Sequence, residues 1–186
     1  SGRTALPRRV QNDRLDSAGR PAAPQAGHVV LDARPDEPAR TRLDLRERAA
    51  GLAVRHGERG YVATSKDGLR FDPPKPWRFD DGSELGSYNT QQHWITHSDG
   101  LYLAYTRRGA SNDNVFRHRA PLFLARVDPE RLVVERKTER ILLPNLGQPF
   151  GNFGVCNVTP EETWVIDCLR FAHAGQPSLY VARVHW

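Results

Sequence analysis

Residues 89–127 hold the densest run of groups able to bind charge or move protons: three histidines, five arginines, a Gln-Gln pair and the triplet Asn112-Asp113-Asn114. Arg107, Arg117 and Arg119 could form a carboxylate clamp. A guanidinium presents paired N–H donors that match a carboxylate oxygen for oxygen, as a sialic or uronic acid would require. Gln92 and Asn114 could add amide hydrogen bonds, and Trp94 a stacking face for a sugar ring. Protons could be handled by His93, whose ordinary pKa lies near neutrality. Asp113 is the alternative acid, with Glu84 the other carboxylate near the loop, since glycoside hydrolysis uses two carboxyl groups flanking the bond or a tyrosine nucleophile. Tyr88 and Tyr105 are available for that last role, and spacing selects neither. Each group also has a plainer reading: arginines on a solvated loop, a satisfied core histidine beside a core tryptophan, an Asn-Asp-Asn turn. His97 and His118 are weaker candidates. No metal site is visible, because the three histidines lack i, i+4 spacing and no C-x-x-C pair exists. No cofactor is expected.

The elements that must position these groups are short. Leu101-Tyr102-Leu103-Ala104-Tyr105-Thr106 and Leu122-Phe123-Leu124-Ala125-Arg126-Val127 are apolar runs bounded by turn formers such as Ser98-Asp99-Gly100 and Ala120-Pro121. Such runs predict strands, since a helix would repeat its apolar residues every three or four positions over a longer span. The polar connection at 106–121 is too long for a tight hairpin, and connections of that kind carry function or lack order. Further strands are predicted at 61–65, returning through Lys66-Asp67-Gly68 as 69–71, then at 94–97, 132–135, 140–143, 153–158, 164–167 and 179–185. Asp128-Pro129-Glu130-Arg131 and Thr159-Pro160-Glu161-Glu162 read as turns whose proline needs no ladder donor. No strand is followed by an amphipathic helix, so the predicted class is all-β and antiparallel. The run at 122–127 recurs almost letter for letter at 179–184, with a weaker third copy at 101–104. Several short strands per unit, repeating at roughly 40–50 residues, are what propeller blades show.

Residues 1–57 differ in kind. They are rich in Arg, Ala, Pro and Asp and hold no Trp, Phe or Tyr, so they are expected to be poorly structured. Two exceptions are a strand at 28–32 and a marginal helix at 43–54. The chain begins with Ser and contains no Met, so its natural start is expected upstream. Its 186 residues suit one domain plus a tail. A net charge of +5 and a pI near 9.6 permit anionic partners. The arginines are interspersed with acids rather than gathered into a stripe with aromatics, so nucleic acid is not the expected partner. No apolar run approaches the length of a membrane span. Cys156 and Cys168 flank a predicted hairpin and read either as a cross-strand disulfide or as two unpaired buried thiols.

Ser65-Lys66-Asp67-Gly68-Leu69-Arg70-Phe71 resembles the Asp-box of sialidase-type propellers, in which Ser and Asp tie a hairpin turn and an aromatic residue plugs between strands. It is one residue short of the usual form and lacks the Thr before the aromatic. The segment YNTQQHWITHSDGLYLAYTRRG, with HRAPLFLARVDPE and TPEETWV downstream, is similar to bacterial sialidase-like BNR-repeat propellers, and Arg119-Ala120-Pro121 to their Arg-x-Pro element. The resemblance covers about 61–186. It implies that residues 58–186 are antiparallel β-propeller blades forming part of a ring, with exposed blade edges able to self-associate. It implies a secreted or envelope glycoside hydrolase acting on an acidic glycan, bound through Arg119 and Arg117, with His93 or Asp113 handling protons. The alternative is a non-catalytic glycan-binding or scaffold propeller that uses the same Arg and Trp side chains.

Overall fold

The computed structural model describes residues 9–14, 50–56, 58–65, 69–88, 90–169 and 179–186. Their strands are β1 (Arg9–Arg14), β2 (Ala50–His56), β3 (Arg59–Ser65), β4 (Lys75–Pro76), β5 (Gln92–His97), β6 (Gly100–Tyr105), β7 (Leu122–Asp128), β8 (Val133–Val134), β9 (Arg140–Leu143), β10 (Gly154–Thr159), β11 (Glu162–Cys168) and β12 (Leu179–His185). They pair antiparallel into three sheets. The first is β2-β3-β4. The central sheet is β5-β6-β7, with β8 and β9 sharing the outer edge of β7 at its two ends. The third is β10-β11-β12, with β1 on its outer side. The all-β, antiparallel class is as expected, and the described strands close into neither a barrel nor a ring.

The central sheet is covered on both faces, which explains why its strands read as unbroken apolar runs. On one face Leu103, Tyr105, Phe123, Ala125 and Val127 pack with Val62, Trp77, Phe79 and Leu85 of the first sheet and its following loop. On the other, Ile95, Tyr102, Ala104, Leu122 and Leu124 pack with Phe150, Phe153, Val165, Ala182 and Val184 on the side of the third sheet. The sequence repeat has a structural counterpart. The run at 122–127 is the third strand from the inner edge of its sheet, and the run at 179–184 is the third strand of the next. Ala125 and Val127 face the preceding sheet, as do Ala182 and Val184. The weaker copy at 101–104 lies in β6, a second strand, and is not equivalent.

Three expectations need correction. Residues 50–54 are strand rather than helix, because β2 pairs along the whole of β3, and a ready edge outweighs the helix preference of an Ala-rich stretch. The rest of that expected helix, the strand expected at 28–32 and the turn Lys66-Asp67-Gly68 lie outside the described residues. The return expected at 69–71 is made only at its end: Phe71 bridges Ser65 antiparallel and Asp72 N donates to Thr64 O at 2.8 Å, while the strand that pairs with β3 on this edge comes later, as β4 at Tyr61 and Val62. Phe71 is 39% exposed rather than plugged between strands. The cysteines form neither a disulfide nor a buried pair: both are free and exposed. Cys156 pairs with Trp164 and Cys168 with Leu179. That sets the two cysteines four positions apart along β11, about 13 Å at the strand rise and beyond disulfide reach. Within the segment 1–57, β1 borders the last strand and β2 the first sheet.

Candidate functional site

Strand alternation decides much of the site. Successive side chains of β5 point to opposite faces, so Gln92 and Trp94 turn to the first sheet while His93 turns to the third. Trp94 packs edge to face on Trp77, ring centroids 5.4 Å apart. Gln92 donates through Nε2 to Ser87 Oγ at 2.7 Å, and its amide fills the space above Gly60, where a Cβ would sit 1.8 Å from Nε2. His93 meets the Phe153 ring at 4.9 Å, and burial pushes its imidazole below the usual range. One ligand could not lie against all three.

The arginines are also separated. Arg107 is spent in the fold: Nε and Nη2 grip both oxygens of Glu139 at 2.8 and 2.6 Å, the cation lies over Phe123 at 4.8 Å, and the Glu139 contact holds its pKa up. Tyr105 joins it, donating to Glu139 at 2.6 Å. Arg117 is exposed and sits over its neighbour Phe116 at 5.2 Å. Asp113 and Asn114 are exposed, and Asp113 comes no nearer than 3.9 Å to His118. Glu84 is an exposed partner of Arg59 at 3.0 Å. Of the triplet, Asn112 is the buried staple, donating to Arg107 O at 2.9 Å and Ala120 O at 2.7 Å, which ties the ends of the loop together.

Arg119 does reach other candidates. At the end of the molecule where β6 ends and β7 begins, its Nη1 donates to Gly151 O at 3.1 Å, and its backbone O accepts from Phe150 N at 3.3 Å. Gly151 N donates to Cys168 O at 2.7 Å. A Cβ on Gly151 would lie 2.9 Å from Cys168 Sγ and 3.4 Å from Asp167 Oδ1, so a side chain here would press on the Cys168 thiol. Asp167 is 2% exposed. Its Oδ1 accepts from Cys168 N at 2.7 Å, and its Oδ2 has no hydrogen-bond partner among the described residues. Burial raises the carboxyl to about 6, against the opposing pull of the Cys168 and Gly151 N–H groups and of Arg119.

Beside this cluster, Arg108 lies over Tyr88 at 4.6 Å and Tyr88 meets His118 edge to face at 5.8 Å. Arg117 and His118 both take left-handed backbone, φ 55° and 52°, an uncommon state for non-glycine residues that gathers at functional sites. Buried polar atoms without hydrogen-bond partners among the described residues include Arg108 Nε and His118 Nδ1 of this group, Asp167 Oδ2, Gln91 Oε1, Gln92 Oε1 and Gln148 Oε1, and the indole Nε1 of Trp77 and of Trp94. Among the described residues no group of three His, Cys, Asp or Glu side chains could hold a metal ion. No described helix is long and apolar enough to cross a membrane.

Comparison with protein-family models, with curated proteins and with solved structures finds no match for this chain. The rim stands on its own geometry. Its key carboxylate, Asp167, is absent from the sequence-derived set, although one signal pointed to it. In a strand with Val165 inward, Thr163 and Asp167 must turn inward too, and a buried aspartate needs a reason.

Proposed function

We propose that the chain is a sialidase-like glycan-recognition module whose rim, around Arg119, His118, Tyr88 and Asp167, binds an acidic glycan without hydrolysing it. The observation that carries this reading is the half-buried Tyr88 ring with Arg108 at 4.6 Å and His118 at 5.8 Å. An aromatic face beside cationic groups suits a sugar ring that carries a carboxylate. The propeller reading rests on the resemblance of 61–186 and on sheets that repeat in strand order, with β7 and β12 turned alike toward the preceding sheet. Binding is favoured over hydrolysis because hydrolysis needs a second group flanking the bond, while Asp113 and Glu84 sit exposed in other surroundings. The hydrolase reading keeps one specific support: Asp167 has the raised carboxyl of a general acid.

The test is calorimetric titration with sialyllactose and methyl glucuronide, lactose serving as the neutral control, beside a turnover assay on fluorogenic sialosides and glucuronides. Saturable binding of an acidic sugar with no turnover is expected, and Arg119→Ala should weaken it tenfold or more. Turnover abolished by Asp167→Asn would replace this reading with the hydrolase. No binding to any acidic sugar would end both.

A further inference from the structure

We infer that two copies of this chain close head to tail, the outward face of the third sheet in each receiving the outward face of the first sheet of the other. The three sheets stack in one sense, and the two core clusters fill the two junctions between them. One face at each end of the stack is left over. The inference rests on the propeller architecture of the reading above and does not depend on what the rim binds.

The leftover face of the third sheet is built like a junction. Leu103 pairs with Ala125 as Val165 pairs with Ala182, so the strands of the two sheets correspond residue for residue. Leu122, Tyr102 and Ile95 dock the central sheet onto the third, and their counterparts are Leu179, Trp164 and Cys156. Strand alternation turns these three away from the central sheet, because Val165, Ala182 and Val184 point toward it. The apolar character is kept and the cover is not. Leu122 is 0% exposed and Leu179 42%; Tyr102 is buried, while Trp164 is half-buried and Cys156 exposed. Val181, in the middle of the face, is already buried, so the opening lies around it.

The leftover face of the first sheet has the matching defect. Val62 points to the central sheet, so Tyr61, Ala63 and Ser65 point away from it. Pro76 pairs with Tyr61 and Phe71 bridges Ser65, and residues directly opposite across two strands share a face. Phe71 stands at the end of β3 as Phe123 stands at the end of β6, where it pairs with Tyr105. Phe123 is 4% exposed and Phe71 39%. Each end face is therefore one half of a junction that the chain makes twice internally. A contact between unlike faces generates a ring or an open filament. The inner strands adjoin, β5 meeting both β2 and β10, so successive sheets turn about a common line. Rings of such sheets hold about four to eight. With three sheets in each chain, two chains close one, whereas a single chain falls short and three exceed it.

The experiment is gel filtration with light scattering on the full chain over a concentration series. The wild type should reach twice the 21.0 kDa of one chain. Leu179→Glu and Phe71→Glu alter positions exposed in the single chain. Each should raise the dissociation constant at least about a hundredfold, since each places a charge in an apolar contact. A wild type that stays at 21.0 kDa at every concentration overturns the inference, and so does growth past two chains. A dimer that survives either variant also overturns it, because the contact then lies elsewhere. Should a variant fail to fold, thiol labelling of the wild type, read at Cys156 by mass spectrometry, decides. Cys156 is exposed in the single chain and must label more slowly in the concentrated sample than at dilution. A labelling rate independent of concentration overturns the inference.

Discussion

The two ends of the central sheet use the same kinds of residue in opposite ways. Where β5 turns into β6, His97 stacks flat on Trp186 at 4.5 Å and 8°. Its Nδ1 faces Asp99 Oδ1, and its Nε2 lies 3.1 Å from Pro160 O in the third sheet. Tyr102 donates to the other Asp99 oxygen at 3.1 Å, and Trp186 Nε1 to Thr163 Oγ1 at 2.9 Å. Histidine, aspartate, tyrosine and tryptophan are all consumed in joining two sheets. At the opposite end Tyr88 contacts Arg108 at 4.6 Å and His118 at 5.8 Å, yet Arg108 Nε, His118 Nδ1 and, on β11, Asp167 Oδ2 have no hydrogen-bond partners among the described residues. Residue type alone does not mark a site. What separates the ends is whether the fold has already used the hydrogen bonds.

The largest expected effect lies at the consumed end. His97→Ala strands the Asp99 carboxylate and the Pro160 carbonyl and deletes the ring stack. A hydrogen bond to a charged group plus an aromatic pair predicts a loss of roughly 2–4 kcal/mol in urea unfolding. A loss below about 0.5 kcal/mol, the level of a surface change, would show that this end is as unspent as the other and break the contrast.

Next comes Asp167, with the opposite sign. Its folded midpoint is raised from 3.8 to about 6, so the folded state holds a proton that the unfolded state has released. Stability contributed by this group is therefore full below about pH 4, falls as pH rises to about 6, and stays lost above it. The full shift corresponds to on the order of 3 kcal/mol. Asp167→Asn removes the dependence. It should match the wild type near pH 4 and exceed it by up to about 3 kcal/mol at pH 8. Equal pH profiles of thermal unfolding in the two proteins would mean that Oδ2 is partnered after all.

The strands were legible because a buried apolar run bounded by turn formers is a local signal. The runs at 101–106 and 122–127 became β6 and β7 within a residue or so. The failures were failures of partnership. Nothing in residues 69–71 says that the return along β3 begins only at Phe71 and is completed by Lys75–Pro76. The proposed clamp failed similarly, since Glu139, which takes Arg107, lies far along the chain. One error was avoidable on the sequence alone. Once residues 92–97 are a strand, His93 and Trp94 face opposite ways. Asp167 was hidden for another reason: its significance comes from burial beside the loop residue Gly151, whose N–H reaches Cys168 O at 2.7 Å, a contact that no spacing encodes.

The smallest expected effect tests the unspent end directly. Gln148 Oε1 is buried without a hydrogen-bond partner among the described residues, so the folded state has already lost the hydration of that atom and gained no bond for it. Truncation by Gln148→Ala deletes that burden along with a little packing. The change in unfolding free energy should stay within about 0.5 kcal/mol. If the same atom is kept free for a sugar hydroxyl, affinity for the acidic glycan should fall about tenfold, the value of one well-placed hydrogen bond. A destabilisation of 1–3 kcal/mol, typical of a broken buried pair, with unchanged affinity would move Gln148 into the class of His97. It would shrink the rim to the groups around Arg119 and Asp167.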